Sequence, residues 1–454
     1  MKSSALAYTP DQLQQVAADT LKIAKNLGAS QTAVEVSEGS GLSVSVRNAA
    51  LETLEHTRDK GMSVTVYAGK KGSFSRGSAS TGDFSTQALQ ETVRAAWEIA
   101  SFTAADACAG LPDASALAQP NRDLKLFHPW DLTPNAAVEL ALRMESAALE
   151  TDPRIKNIDG CGVSASHGHF ILANSHGFSA GYPHSRHSLS VAPIAMQGDA
   201  MQRDDWYSSQ RNPALLAEPE AIGSYAAQRA LSRLNARKIR TRKCAVLFEA
   251  PLACGLIGNF VQAASGGALY RDASFLRGQL GQRVFASHLS LFEDPFIVGA
   301  VGSAEFDDEG VATQARKVIE RGILQGYFLS SYTARKLRMP LTGNAGGSHN
   351  LRLHSTRTRT VDNFAVMLQK LGTGLLVTET LGQGVNYING DYSRGASGFW
   401  VENGQILYPV EEITIAGNLA QMFQQIAAVG ADTIQRGTKS TGSILIETMT
   451  LAGA

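Results

Sequence analysis

The sequence predicts an α+β protein of two domains, and three observations carry that expectation. Helical and strand periods alternate through the first half of the 454 residues. Glycine is concentrated later, with 27 of the 43 at or beyond Cys244, which predicts strands, tight turns and close backbone approaches there. Between the two regions runs Arg233-Leu-Asn-Ala-Arg-Lys-Ile-Arg-Thr-Arg-Lys243, six bases without an acid, read as a solvated linker in preference to a phosphate-binding patch. The boundary is placed there. It gives an N-terminal mixed helix/sheet domain over 1–235 and a C-terminal, mostly antiparallel, curled and barrel-like β-sheet domain over 236–454.

The elements follow in order. Thr9-Pro10-Asp11 supplies an N-cap and a first-turn proline, after which Leu13, Val16, Leu21, Ala24 and Leu27 keep one face apolar until Gly28 stops the helix. Leu42, Val44, Val46 and then Met62, Val64, Val66 alternate with polar residues, the period of half-buried strands. Ser85 and Thr133-Pro134 open two further helices, with Leu89, Val93, Ala96, Trp97 and with Val138, Leu142, Ala148, Leu149 as the expected buried stripes. In the second half, Asn403-Gly404 between apolar runs signals a two-residue hairpin, Arg321-Gly322 reads similarly, and Ser443 to Leu451 closes as a strand. Helices are expected near Asn363–Leu371 and from Asn418 to Val429.

Composition narrows the function. With 44% apolar and 18% charged residues the chain is globular, and 41 basic against 41 acidic side chains give no electrostatic support for nucleic-acid binding. Four cysteines without close pairing read as thiols of a reducing compartment, hence a cytoplasmic protein, and the N-terminus lacks the apolar block of an export signal. Ala250 to Tyr270 holds no charge over 21 residues, but its proline, amides and four glycines favour a buried core segment over a membrane span.

Four local patterns bear on chemistry. Five histidines, His167, His169, His176, His184 and His187, fall within 21 residues, yet no carboxylate or thiol accompanies them, so exposed-strand histidines are expected before a metal site. Gly177-Phe-Ser179-Ala-Gly181 matches a nucleophile elbow, but no helical period follows the serine as that motif requires. Asp307-Asp-Glu-Gly310 lacks the spaced ligands of a calcium loop and reads as a turn. The glycines at 372, 374, 382 and 384 lack both the third glycine of a dinucleotide fingerprint and a P-loop lysine. No histidine is followed by glutamate, so no H-E-x-x-H site exists.

Five stretches, Tyr270–Leu276, Phe306–Val311, Ser331–Leu337, Thr342-Gly-Asn-Ala-Gly-Gly-Ser-His-Asn350 and Gly390–Gly404, together with Asn174–Gly177 and Ser185–Ser188, closely resemble the PmbA (TldE) branch of the TldD/PmbA family. The resemblance spans nearly the whole chain. It implies a bacterial cytoplasmic subunit that pairs with a TldD-type homologue to form a zinc metallopeptidase for unfolded or peptide-like substrates. In TldD-type chains a helix carries H-E-x-x-x-H; aligning the preceding strand puts Ile257, Gly258 and Gln262 in its three functional places, and Thr378–Gly384, where a cysteine ligand is expected, has none. An isoleucine cannot ligate zinc, and a glycine has no carboxylate to deprotonate water. The resemblance therefore implies no catalytic residue, metal or cofactor in this chain, with zinc in the partner. The paired subunits would enclose a chamber in which an extended peptide could add to a sheet edge.

Asn344, Gly346, Gly347, His349 and Asn350 form the candidate loop for peptide or partner, its plain alternative being a tight turn. Two rival readings remain: a regulatory or binding homodimer of the gyrase-modulator kind, without peptidase activity or a membrane role, and an independent hydrolase whose metal sits in the histidine-rich segment.

Overall fold

A computed structural model describes residues 6–453; residues 1–5, the start of the segment read for an export signal, lie outside it, as does Ala454. Two compact units form. One holds the chain up to Leu231 together with Val298–Val301 and Glu305–Thr313; the other holds Ser232–Ile297, Gly302–Ala304 and the rest from Gln314.

The first unit begins with α1 (Pro10–Asn26), where Thr9 accepts from the Gln12 backbone and Gln12 answers back, so the expected cap is a full capping box. Strands β1 (Gln31–Arg47) and β2 (Ala50–Lys70) form a long hairpin, followed by β3 (Ser73–Thr81). Its turn puts Asn48 and Ala49 at φ 54° and 57°, and buried Glu145 accepts the Ala49 N–H at 2.9 Å. Helices α2 (Thr86–Phe102) and α3 (Pro134–Glu150) precede β4 (Ile155–Asn174), the two-residue β5 (Ser179–Ala180), β6 (Pro183–Gln197), β7 (Ala200–Arg203), β8 (Trp206–Gln210) and α4 (Pro219–Ser232).

The strands make one curled antiparallel sheet in the order β3-β2-β1-β4-β6-β7, with β5 on β4 and β8 on β6. Val34, Val36 and Ile171 pack beneath Leu13 and Ala17 of α1 and Val93 and Ala96 of α2. Further along the same face α3 lies against β4, where Cys161 Sγ donates to the Ala141 carbonyl. The expected stripe on α3 is corrected: Ala137, Ala141, Met144 and Ala148 are buried, whereas Val138 and Leu142 line a groove shared with Glu220 of α4. Alanines let the helix axis approach the sheet, so the small side chains face inward and the larger ones lie to the side.

The second unit contains β9 (Arg242–Phe248), α5 (Ala250–Ala263), α6 (Gly266–Tyr270), β10 (Leu289–Asp294), β11 (Arg316–Glu320), β12 (Ile323–Leu324), α7 (Ser331–Leu337), β13 (Asn350–Ser355), α8 (Phe364–Leu371), β14 (Gly374–Leu381), β15 (Asp391–Glu402), β16 (Gln405–Asn418), α9 (Leu419–Gln424), β17 (Ile426–Val429), β18 (Ile434–Arg436), β19 (Lys439–Thr441) and β20 (Ile444–Ala452). One sheet runs β12-β11-β10-β13-β19-β18. In the other, β16-β15-β14-β9-β20-β17, a further β16–β20 pairing closes five strands into a barrel.

The core of this unit is aromatic. Phe285 stacks on Phe423 with ring centres 4.6 Å apart, and Phe260 of α5 meets Phe285 edge-on at 5.2 Å. Both hairpin turns fall where expected, with Asn403 and Arg321 at φ 49° and 47°. The single helix expected over Asn418–Val429 is corrected: it stops at Gln424, and Ile426–Val429 becomes β17 because it pairs with β20. The basic run is anchored as well as solvated. Arg233 is buried and ion-paired to Glu379, Lys238 pairs with Glu412, and Arg242 lies over the Trp400 ring. The uncharged 250–270 segment forms α5 and α6, and among the described residues no helix is long and apolar enough to cross a membrane.

Candidate functional site

Helix α5 carries all three positions that the resemblance sets against the zinc motif, Ile257, Gly258 and Gln262. Ile257 is buried in the aromatic core, whereas Gln262 is exposed. Gly258 lies on the accessible side, where a Cβ would stand 3.8 Å from Cε of Lys439. Beside it, Asn259 Oδ1 accepts from the Tyr387 hydroxyl at 3.0 Å. Lys439 is half-buried and donates to Thr438 Oγ1 at 3.2 Å; burial pushes its ammonium pKa down, and burial pushes the neighbouring Cys254 thiol up.

In the 378–384 segment Thr378 Oγ1 is buried without a hydrogen-bond partner, Glu379 pairs with Arg233, and the Thr380 carbonyl accepts from Arg394 at 3.3 Å. Isoleucine, glycine and glutamine offer no imidazole, thiolate or carboxylate, so the donor set at this helix does not fit zinc. Among the described residues no three His, Cys, Asp or Glu side chains group closely enough to hold a metal ion.

The glycine-rich segment is built around a buried carboxylate. Glu293 accepts from Arg316 Nε at 2.7 Å, Asn344 Nδ2 at 2.8 Å and the His349 backbone N–H at 2.9 Å. Arg316 also donates to the Tyr327 carbonyl and to Asn344 Oδ1. Asn350 donates to the Asp294 carbonyl and to Ser303 Oγ and accepts from the Gly302 N–H. The His349 ring lies between the carbonyls of Gly302 and Gly343. The side chains of Asn344, His349 and Asn350 are thus engaged inside the framework, and the accessible part of the segment is Gly346, Gly347 and Ser348. Gly346 and Gly347 have φ of 93° and 117°, a backbone that side chains resist, so what this loop presents is main chain.

The histidines divide between the two faces of the first unit's sheet. His167, His169 and His187 lie on the helix-bearing face. There His169 meets Glu38 at 3.4 Å, and His187 contacts the His128 carbonyl at 2.8 Å and the edge of Trp130. His184 pairs in register with Gly168 and points to the opposite face, and burial lowers its pKa, as it does that of His187. His176 sits in the turn after β4, its Nδ1 2.8 Å from the Pro112 carbonyl. Ser179 lies in β5 with no helix after it, so the elbow geometry is absent. Asp307 accepts from the N–H groups of Glu309 and Val311, which makes 307–310 a turn.

Two features follow no sequence motif. Neither the Glu293–Arg316 pair nor Lys439 belongs to a recognisable spacing, because each partner arrives from a distant segment. A charged residue inside an apolar strand, as Glu293 is in Leu289–Asp294, was the available hint.

Three successive family models match the chain: PmbA/TldA metallopeptidase domain 1 over residues 33–100, the central domain over 127–234 and the C-terminal domain over 241–453. Metalloprotease PmbA of Escherichia coli O157:H7 is 45% identical, covering 92% of each chain, and the Metalloprotease PmbA homolog of Haemophilus influenzae is 43% identical over 99% of this chain and 98% of its own. A solved structure from Bacteroides thetaiotaomicron, described as a candidate modulator of DNA gyrase, superposes with a TM-score of 0.90 at 26% identity, covering 97% of this chain and 99% of that one. TldE from Thermococcus kodakarensis shares the fold, with a TM-score of 0.82 at 19% identity over 96% of this chain and 100% of its own. The chain accordingly belongs to the PmbA/TldD metallopeptidase family, in its PmbA branch.

Proposed function

We propose that this chain is the zinc-free partner subunit of a cytoplasmic, heteromeric metallopeptidase whose ion is held by a TldD-type homologous subunit, and that the pair cleaves unfolded or peptide-like substrates. The family is one of hydrolases. The observation that carries the finer reading is the donor set on α5: Ile257 lies in the core, Gly258 has no side chain, and the exposed Gln262 offers only a neutral amide. A zinc-bound water needs three basic ligands and a nearby proton acceptor, and this surface supplies neither. The contribution left to the chain is shape and main-chain recognition. The Gly346–Gly347 backbone suits close approach by peptide or partner, and backbone pairing binds extended chains with little regard for sequence.

The test is reconstitution. The chain is purified alone and with a TldD-type homologue, and cleavage of an unstructured fluorogenic peptide is followed. Cleavage only in the mixture, abolished by changing a zinc-motif histidine of the homologue, is the expected result. Cleavage by the lone chain would refute the reading, and failure of the two chains to associate would favour a stand-alone binding homodimer.

A further inference from the structure

On β1, Glu35 alternates with Val34 and Val36, which pack beneath the helices, so it stands on the opposite, outward face of the first unit's sheet. There it lies opposite Leu172 of β4, with Phe170 two residues away on the same face. The segment 305–313 returns to this unit and brings Phe306 and Asp308 beside them. With Tyr182 these residues enclose a cavity of about 230 Å³. That is smaller than the roughly 300–1,000 Å³ of sites for whole small molecules, and it suits one side chain.

Three walls of the cavity are aromatic. The ring centres of Phe170 and Tyr182 are 4.8 Å apart at 75°, and Phe306 lies 6.1 Å from the first at 62° and 5.7 Å from the second at 59°. Rings set at such angles make a box, and aromatic faces attract cations. The remaining wall is acidic. Partial desolvation and then the like charge of Asp308 raise the Glu35 pKa, and among the described residues no basic side chain pairs with Glu35. Arg211, whose charge reaches Tyr182, donates instead to the carbonyls of Ser185, Ala300 and Val301. A cation entering the box meets ring faces and offsets the repulsion between the two carboxylates.

The cavity shares Glu35 and Phe170 with a trough of about 650 Å³ on the sheet. Gly39 and Gly168 pair in register in the trough, and Gly61 pairs with Ser37 beside them. A Cβ on Gly61 would meet nothing within 4 Å, so this floor is open main chain that another backbone can approach closely. We infer that the box is a subsite for one basic side chain, arginine or lysine, of an extended peptide lying in the trough. The choice of a peptide rests on the function proposed above, whereas the cation site stands on its own geometry.

The full-length chain is titrated calorimetrically with acetyl-Ala-Ala-Arg-Ala-Ala-amide and with the same peptide carrying citrulline, which keeps the shape of arginine and removes its charge. The arginine peptide binds, and the citrulline peptide binds on the order of tenfold more weakly. Glu35→Gln and Phe170→Leu each cut that preference to about threefold or less, whereas Glu98→Gln, on the exposed side of α2, leaves it unchanged. Unchanged thermal midpoints show that the variants are folded, and Glu35→Gln, at an exposed position, decides the matter where Phe170→Leu does not fold. Equal binding of the two peptides, no binding of either, or an undiminished preference in Glu35→Gln overturns the inference. An equal loss in Glu98→Gln, or displacement of the peptide by magnesium at the same concentration, overturns it too, by making the effect one of general charge. Peptide cleavage by the two-chain complex is read separately, so either result can fail while the other holds.

Discussion

Removing the arginine from the Glu293–Arg316 pair makes a demanding test of the claim that the glycine-rich loop is organised by a buried ion pair. Glu293 is 1% exposed and Arg316 14%. Arg316→Met keeps the volume of the aliphatic stem but strips the carboxylate of its arginine partner, and the Tyr327 carbonyl and Asn344 Oδ1 lose a donor. Breaking a buried pair from one side costs about 3–5 kcal/mol. At about 1.4 kcal/mol per decade this is an acceleration of roughly two to almost four orders of magnitude in hydrogen exchange through local opening. Mass spectrometry of peptides covering β10 and 342–350 reads it directly. The exposed Lys317–Glu320 pair on the neighbouring strand is the control, since both side chains are more than 40% exposed and Lys317→Gln should cost about 1 kcal/mol or less. Replacing both members of the buried pair, as Glu293→Gln with Arg316→Met, should regain roughly half or more of the loss, because no charge is then stranded and the glutamine oxygen still accepts from Asn344 and the His349 N–H. Equal effects of Arg316→Met and Lys317→Gln would refute the reasoning.

The two faces of α5 should respond differently. Ile257→Ala should lower stability by about 2–5 kcal/mol through a core cavity, and Gln262→Ala should stay within about 0.5 kcal/mol, as read from denaturant midpoints. Hydrogen bonds from the Arg359 backbone and then from Lys370 hold the buried Asp362 carboxyl below its ordinary pKa. A depressed folded-state pKa adds stability that is fully present above the unfolded value near 4 and is lost as pH falls through the folded one. The deficit of Asp362→Asn relative to the unaltered chain should therefore be constant near neutrality and shrink below about pH 4. Burial pushes the Cys161 thiol up to about 12 and the Cys244 thiol up to about 11. Brief iodoacetamide treatment at pH 8 should therefore leave both unmodified by mass spectrometry and label them only on unfolding.

What the sequence disclosed was largely local. The Thr9 cap and the Asn403-Gly404 and Arg321-Gly322 turns are specified by residues within a few positions of one another, and they appear as expected. The strand at 426–429 is not legible locally, because its character comes from β20, a partner that helical spacing in Asn418–Val429 cannot reveal. The same holds for the barrel closure by β16 and β20, and for the return of 298–301 and 305–313 to the first unit. At the candidate site the residue types at 257, 258 and 262 are plain in the sequence, because the identity of a side chain needs no geometry. That Asn344, His349 and Asn350 would turn inward is not, since their partners Glu293, Gly302 and Ser303 lie some 40–60 residues earlier in the chain.

The central claim is that the ion of the active complex belongs to the other subunit. Anomalous scattering at the zinc edge from crystals of the chain bound to a TldD-type homologue tests it most directly. The account predicts one strong peak on the homologue's histidines and none beside Ile257, Gly258 and Gln262; a stoichiometric peak against α5 of this chain would contradict it.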